Sequence, residues 1–187
     1  NSFEGLSVLD IGAASGVFSI PFAKRGAIVS SLEPSPLLSS MLKKNANNHS
    51  VDVDIINQPF ENFKTVNREN FDFVFASMCP AMTDWNAVKK ALSLSNKYFY
   101  VSLMAGPKEN HLIEELLSVL NIKGENTTSS EMFYLLQLLY LNNYSYQSLI
   151  ERHQKTVTMN VEEVVHNLET WFVDYNVVIN HAQKAEA

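Results

Sequence analysis

The sequence predicts an α/β fold, a doubly wound and mostly parallel sheet with helices on both faces. Three observations predict it. Short apolar runs alternate with helical patterns over the first hundred or so residues, the connections are short, and residues 71–77 are almost entirely apolar. A continuous apolar run is typical of a parallel strand buried on both faces. Parallel strands joined through helices cross over in the right-handed sense.

The elements of this pattern follow one another with recognisable start and stop signals. Pro21 lies near the first turn of the first helix and Gly26 at its end, whereas Ser35 caps the second helix and Pro36 takes its first position. The predicted strands are 6–11, 27–33, 51–56, 71–77 and 98–104, and the predicted helices among them are 16–26, 35–48 and 84–95.

The last third of the chain changes character. Its signals are Pro107 before a helix, a Thr128–Glu131 capping box, an alternating stretch typical of a strand, and an Asn160–Glu163 capping box. The predicted elements are helices 109–120, 129–143 and 161–172 and a strand over 146–159. The Leu-rich helix 129–143 is apolar around much of its circumference, so core packing, a lid and a homo-oligomer interface all stay open.

The organisation of the chain shows no linker or repeat, so we predict one domain over 1–187. Residues 6–105 form its core, and 106–187 a helical, substrate-side elaboration. The missing initiator Met and the lack of a convincing final strand leave truncation open at either end.

Composition and charge exclude several classes of function. The net charge is −6 and the pI about 5.3, and the basic pairs Lys24-Arg25, Lys43-Lys44 and Lys89-Lys90 are dispersed, as on solvated helix faces. We therefore expect no DNA partner. No apolar run approaches the ~20 residues of a membrane span. The single cysteine, Cys79, excludes an internal disulfide and indicates a reducing compartment, so we expect a cytoplasmic protein without a membrane partner.

The loop after the first strand, "VLDIGAASGVFS" over 8–19, is the place to look for a ligand, because open α/β sheets bind ligands beyond the carboxyl ends of their strands. Glycine there lets the backbone approach a ligand closely. A dinucleotide fingerprint needs glycines at 12, 14 and 17, where the chain has Gly12, Ala14 and Val17. Asp10 would repel a pyrophosphate but suits a ligand carrying an ammonium and a sulfonium. The spacing thus disfavours an NAD-dependent oxidoreductase.

This loop resembles motif I of the class I S-adenosylmethionine-dependent methyltransferases, a Rossmann-like superfamily with the pattern D/E-x-G-x-G-x-G. Asp10, Gly12 and Gly16 match, and Ala14 departs. The resemblance implies S-adenosylmethionine as cofactor. It also implies an acidic residue at the end of strand 2, where Glu33 lies 21 residues after Gly12 and its carboxylate oxygens can accept both ribose hydroxyls. The implied cofactor-binding residues are Asp10, Gly12, Ala13, Ala14, Gly16, Glu33, Pro34, Gln58, Phe60 and Ser77.

The resemblance implies that two of these residues, Gln58 and Phe60, contact the adenine of the cofactor. Gln58 stands where the family often has an acidic residue, and its amide can still hydrogen-bond an adenine edge. Phe60 is expected to pack on the adenine ring, although an ordinary loop explains this stretch equally well.

The segment after strand 4 lines the methyl-transfer cleft in this family. Amino-directed members often carry N/D-P-P-Y/F there, and "CPAM" lacks the polar first residue, so base amines are not the expected acceptors. The residues instead predict an apolar, polarizable wall of Met78, Cys79, Pro80, Met82 and Trp85. Cys79 is expected to line the wall rather than act as a nucleophile.

The reaction implied by the resemblance is an in-line displacement in which an acceptor atom attacks the activated methyl. The protein would supply proximity, alignment and desolvation. No catalytic base is assigned: Asp84 and His111 are each expected to be caps or surface groups, and the histidine spacing predicts no metal site. We expect a methyltransferase with a small-molecule acceptor. A binding module without turnover, or a macromolecular acceptor such as protein or RNA, stays open.

Overall fold

The computed structural model describes residues 3–64, 70–82, 84–126 and 131–178. The chain divides into two compact units, Asn1–Leu103 and Met104–Ala187. The division falls next to the boundary predicted between the core and the elaboration. The single-domain interpretation remains a prediction.

The first unit is a five-stranded, entirely parallel sheet in the order β3-β2-β1-β4-β5. From β1 the chain continues to β2 and β3 at one edge of the sheet, and from β4 it continues to β5 at the other edge. Right-handed crossovers in these two opposite directions put α1 and α2 on one face of the sheet and α3 on the other. This is the predicted doubly wound, Rossmann-like fold. Its elements are β1 (Ser7–Ile11), α1 (Ser19–Lys24), β2 (Ile28–Leu32), α2 (Pro36–Asn48), β3 (Asp54–Ile56), a 3-10 turn (Phe60–Asn62), β4 (Phe71–Ser77), α3 (Trp85–Ser93) and β5 (Ser95–Ser102).

The core of this unit lies around the two central strands. Val8 and Leu9 on β1 and Val74 on β4 are all fully buried. Phe22 of α1 packs edge-on against Phe75 of β4, with ring centroids 5.2 Å apart. Aromatic contacts of this kind, more than helix propensity, hold a six-residue helix such as α1 on the sheet.

Some predicted boundaries are confirmed and others shift by a few residues. The first helix begins at Ser19 rather than at 16, because Gly16 has a φ of +90°, which no α-helix accommodates. The second helix begins as predicted, with Ser35 Oγ accepting from the Leu38 amide and Pro36 in the first position. β3 is confined to its last three predicted residues, and β5 begins three residues earlier than predicted, at Ser95.

The second unit contains α4 (His111–Val119), α5 (Glu131–Leu141) and α6 (Val161–Val173). Its core joins α4 and α6 through Ile113, Leu117, Leu168 and Phe172. The predicted capping box of α6 is confirmed: the Glu163 amide donates to Asn160 Oδ1 at 2.9 Å, and the Asn160 amide to Glu163 Oε2 at 3.1 Å.

Two predictions in this unit are wrong, and one lies outside the described residues. Residues 146–159 form no strand: nearly all their side chains are exposed, and alternation alone supplies no partner for backbone hydrogen bonds. Asn110 rather than Pro107 starts α4, through an Oδ1 that accepts from the Ile113 amide. Thr128 of the other predicted capping box is not described.

The Leu-rich helix α5 buries Leu135 and Leu139, one turn apart. Other large side chains on it, Phe133, Tyr134, Tyr140 and Leu141, are each at least 60% exposed. An oligomer interface on this helix stays a prediction. Within the described ranges, no helix combines the length and the apolar character needed to cross a membrane.

Candidate functional site

The loop after β1 folds back over the end of β2. The amides of Gly12 and Ala13 both donate to the Leu32 carbonyl, at 2.9 and 3.2 Å, and the Gly16 amide closes a turn onto the Ala13 carbonyl at 2.9 Å. These bonds place Asp10, the predicted loop glycines and Glu33 together at the carboxyl edge of neighbouring parallel strands. This is the edge at which open α/β sheets bind their ligands.

Gly12 is required in this loop for two separate reasons. Its φ is +75°, in the left-handed region that favours glycine. In addition, a Cβ built on Gly12 would lie 2.6 Å from Cys79 Sγ. The loops after β1 and β4 therefore touch, and Cys79 of the predicted apolar wall lies directly against the loop.

Ala14 occupies the position at which the family pattern has glycine, and its φ is +48°. The backbone here is thus in the conformation that glycine adopts freely, while the alanine Cβ makes it strained by about 1–2 kcal/mol. The departure from the motif therefore raises the conformational energy of the loop, while the backbone at residue 14 keeps a left-handed conformation typical of glycine.

Glu33 joins the loop to the ends of β2 and β3. Its side chain is 5% exposed. Oε2 accepts from the Ala14 amide at 2.9 Å, Oε1 accepts from the Ser35 amide at 2.8 Å, and the Glu33 carbonyl accepts from Asn57 Nδ2 at 2.8 Å. Each carboxylate oxygen has a further lone pair, so both can still accept a ligand hydroxyl. Pro34 follows at the start of the turn into α2.

Asp10 lies beneath the loop, not at an open mouth. It is 2% exposed, and its Oδ2 accepts from Ser19 Oγ at 2.5 Å. Burial raises the pKa of Asp10 from 3.8 to about 6; hydrogen bonds from Ser19 oppose this shift, and the Glu33 carboxylate adds to it. The carboxylate is consequently ionised at neutral pH, and a neighbouring positive charge would stabilise that form.

The predicted substrate-side residues divide into buried and exposed members. Cys79 and Met82 are buried, whereas Met78 is 55% exposed and has a left-handed φ of +47°. Pro80 is exposed, and Trp85 is half-buried as the first residue of α3. Burial raises the pKa of the Cys79 thiol, and the Asp10, Glu33 and Glu61 carboxylates raise it further, which disfavours a nucleophilic thiolate.

Ser77 ends β4, and its hydroxyl lies 3.0 Å from Ser102 Oγ, at the matching end of β5. The Met78 amide donates to the Ser102 carbonyl at 3.0 Å and to its hydroxyl at 3.1 Å. These contacts fix the direction in which the chain leaves β4. Asp84 caps α3 by accepting from the amides of Asn86 and Ala87, as expected, and His111 is an exposed first residue of α4.

The two residues predicted to face adenine lie just after β3 but in different environments. Gln58 is half-buried, and its backbone N–H donates to the Ile56 carbonyl. Phe60 is only 3% exposed, and Lys90 Nζ lies 4.7 Å from its ring centroid. The adenine contact of Phe60 stays a prediction, and it would require this ring to be uncovered.

Sequence reasoning missed two sets of residues at this edge. Lys90, predicted on a solvated helix face, donates to the carbonyls of Phe60 at 2.5 Å and Glu61 at 3.0 Å. Ser31, fully buried in β2, donates to Ser19, which in turn donates to Asp10. A pair of serines, Ser30 and Ser31, in the otherwise apolar stretch 27–32 was the available signal for the second set. Among the residues that the structure describes, no three His, Cys, Asp or Glu side chains come together as a metal site would need.

Comparisons with known proteins agree with this geometry. A family described as a methyltransferase domain matches residues 8–97. A ubiquinone biosynthesis O-methyltransferase of Methylobacterium sp. (strain 4-46) is 39% identical over 72 residues, which are 38% of this chain and 28% of that protein. The chain therefore spans little more than a quarter of the length of this curated relative.

Solved structures show the same fold at lower identity. Magnesium protoporphyrin IX methyltransferase from Synechocystis PCC 6803 with bound SAH has a TM-score of 0.54 at 19% identity, covering 72% of this chain and 64% of that one. The plantazolicin methyltransferase in complex with a triazolic desmethylPZN analog and SAH has a TM-score of 0.51 at 16% identity, covering 74% of this chain and 55% of that one. The family match covers residues 8–97, and the parallel sheet and the Asp10–Gly12–Gly16–Glu33 arrangement agree with it: this part of the chain is similar to methyltransferase domains of the class I, S-adenosylmethionine-dependent kind.

Proposed function

We propose that the chain binds S-adenosylmethionine and transfers its methyl group to a small-molecule acceptor. The observation that carries the proposal is the pairing of Asp10 and Glu33 at the carboxyl ends of β1 and β2, joined across the loop by the bond from the Ala14 amide to Glu33. The relatives whose names state a role include an O-methyltransferase of ubiquinone biosynthesis and a magnesium protoporphyrin IX methyltransferase. Both roles support a small-molecule acceptor.

The chemistry of the loop fits the cofactor. Residues 12–18 contain neither Lys nor Arg, and two buried carboxylates lie beside them. Two carboxylates without a nearby Lys or Arg in the loop repel a pyrophosphate, and they favour a ligand that carries positive charge and hydroxyl groups. Glycine at position 12 leaves no side chain in the loop where it passes against Cys79.

Each residue has a distinct role in this proposal. The cofactor, when bound, supplies an activated methyl group. Glu33 accepts the ribose hydroxyls through its remaining lone pairs, Asp10 provides a negative charge for the ammonium and sulfonium, and Gln58 reaches the adenine edge. Cys79 and Met82 keep water from the side of the loop on which the methyl group would be transferred. The protein thus acts by alignment and desolvation.

A binding module without turnover is the second candidate, and the left-handed Ala14 is the observation that favours it. A macromolecular acceptor is the third, since the chain spans only part of the curated relative's length. Both share the cofactor site and differ from the main proposal only in what happens to the methyl group. A cytoplasmic location remains our prediction from the single cysteine.

Isothermal titration of the chain with S-adenosylhomocysteine tests the cofactor site. We expect micromolar binding, weakened at least tenfold, or about 1.4 kcal/mol, by Glu33→Gln. Glu115→Gln, on an exposed position of α4, is the matched control and should bind as the parent does. NAD should not compete. No binding by the folded parent would reject the proposal.

Methyl transfer itself needs a second assay. The chain is incubated with S-adenosylmethionine carrying a labelled methyl group and a panel of small acceptors with hydroxyl, thiol or amine groups, and label is counted in the organic extract. Label in the extract supports the main proposal. Binding without labelling of any small acceptor, or of peptide or RNA offered in separate incubations, favours the module without turnover.

A further inference from the structure

Three buried polar side chains form a directed hydrogen-bond chain under the loop. Ser31 Oγ donates to Ser19 Oγ at 2.6 Å, and Ser19 Oγ donates to Asp10 Oδ2 at 2.5 Å. Both serines are fully buried, and Asp10 is 2% exposed. A hydroxyl has a single proton, so the bond accepted from Ser31 leaves Ser19 free to donate its own proton to the carboxylate. The second distance is typical of a charge-assisted bond to an ionised oxygen.

The surroundings of Asp10 make this donation important. Phe75, its neighbour on β4, is apolar, so burial acts against the charged carboxylate. The titratable groups that face Asp10 are Glu33 after β2 and the Cys79 thiol after β4, and neither supplies positive charge. Ser19 on α1 and Ser31 on β2 are the polar groups linked to it. Through the hydroxyl and the backbone amide of Ser19, α1 opposes the rise that burial causes in the pKa of Asp10.

We propose that Ser19, supported by Ser31, is a positioning residue that keeps the Asp10 carboxylate ionised and fixed in orientation for the positive end of the bound donor. Ser19 donates to Oδ2 of Asp10, and Ser31 holds the Ser19 hydroxyl in the orientation that makes this bond. The inference rests on the proposed function. It adds that affinity for the donor depends on pH, and that two fully buried serines set the pH at which it changes.

A purely structural role for the serines predicts a different behaviour. Two buried hydroxyls that only satisfy each other would, when removed, weaken the fold and lower affinity equally at every pH. A pair that stabilises an ionised carboxylate shifts the pH at which that carboxylate titrates. The pH profile of binding therefore separates the two roles.

The test measures S-adenosylhomocysteine affinity by titration calorimetry from pH 5 to pH 8 for the parent, Ser19→Ala, Ser31→Ala and Asp10→Asn. The parent should lose affinity below about pH 6. For Ser19→Ala we expect the midpoint about one pH unit higher, with affinity about threefold or more below the parent at pH 6.5 and within about twofold at pH 8. Ser31→Ala should shift the midpoint in the same direction by less. Asp10→Asn should bind weakly and without this pH dependence.

A second measurement without ligand keeps the inference testable by itself. The carboxyl carbon of Asp10 is followed by NMR through a pH titration of the parent and of Ser31→Ala, which replaces the hydroxyl farther from the carboxylate and also serves if Ser19→Ala fails to fold. A higher midpoint in the variant supports the inference. An unchanged midpoint, or an affinity loss that is the same at every pH, overturns it. If the parent binds no S-adenosylhomocysteine at any pH, the proposed function fails, whereas a shifted midpoint would still support the serine pair's effect on Asp10.

Discussion

Replacement of Gly12 by alanine tests the close approach between the loops after β1 and β4. The new Cβ would lie 2.6 Å from Cys79 Sγ, in a residue whose φ is +75°. The left-handed conformation costs alanine about 1–2 kcal/mol, partly offset by a stiffer unfolded chain worth about 0.4–1 kcal/mol. Overpacking a buried contact adds about 1–3 kcal/mol. We expect Gly12→Ala to lower the free energy of unfolding by about 2–4 kcal/mol.

Gly5 provides the matched control for this substitution. Its φ is +72°, and a Cβ there would meet nothing within 4 Å. Gly5→Ala therefore carries the conformational strain without the steric overlap, and we expect a loss of only about 0.5–1 kcal/mol. The difference between the two variants measures the overlap with Cys79.

A double-mutant cycle with Cys79→Ala isolates the same contact. Once Sγ is removed, the nearest atom to a Cβ on Gly12 is the Cβ of residue 79 at 3.4 Å, an ordinary contact. The double variant should be about 1–3 kcal/mol more stable than the sum of the single effects implies. The assay is urea unfolding in a Trp171→Phe background, in which Trp85 fluorescence reports on the first unit. Equal losses for Gly12→Ala and Gly5→Ala, or additive effects in the cycle, would refute the reasoning.

Three further substitutions test other features of the first unit by the same unfolding assay. Ala14→Gly should raise stability by about 0.5–1 kcal/mol because it relieves a left-handed alanine, whereas Ala13→Gly, at a buried residue without positive φ, should lower it by a similar amount. Asp10→Asn should raise the free energy of unfolding by about 1–3 kcal/mol at pH 7. The pKa of Asp10 is about 6 in the folded protein and 3.8 in the unfolded chain, so the protein loses stability as pH rises between those values, and the neutral asparagine avoids this loss. Equal stability of parent and Asp10→Asn at pH 7 would contradict this sign. Lys90→Met should lower the free energy of unfolding by about 1–2 kcal/mol, since it removes the donor to the carbonyls of Phe60 and Glu61. Lys89→Met, at the exposed neighbouring position, is the control. Equal losses for the two variants would show that the bonds from Lys90 do not stabilise the fold.

The parts of the site that follow strand ends were predictable from the sequence. An apolar run predicts each strand, and the carboxyl ends of parallel strands lie along one edge of the sheet. Asp10, Gly12 and Glu33 each lie at or just after the end of a strand. Their mutual proximity therefore follows from the sheet alone. The capping of α2 by Ser35 and of α6 by Asn160 was predictable for a similar reason, because caps depend on neighbours within three or four residues.

Contacts between distant elements were not predictable in the same way. The Ser31–Ser19–Asp10 chain depends on how α1 packs on the sheet, and the bonds from Lys90 to the 3-10 turn depend on where α3 lies beside the segment that joins β3 to β4. Neither contact can be predicted from the periodicity of apolar residues within one element. The error over 146–159 has the converse cause: alternation was present, but a strand also needs a neighbouring strand for its backbone groups.

The crystal structure of the chain with S-adenosylhomocysteine is the most direct measurement of the cofactor site. We predict that the ribose hydroxyls lie within hydrogen-bond distance of the Glu33 carboxylate, and that the ligand's amino group lies beside the loop of residues 12–16 with Asp10 beneath it. Ligand bound elsewhere, or ligand bound at this edge without contact to Glu33, would contradict the assignment of the two carboxylates to the cofactor.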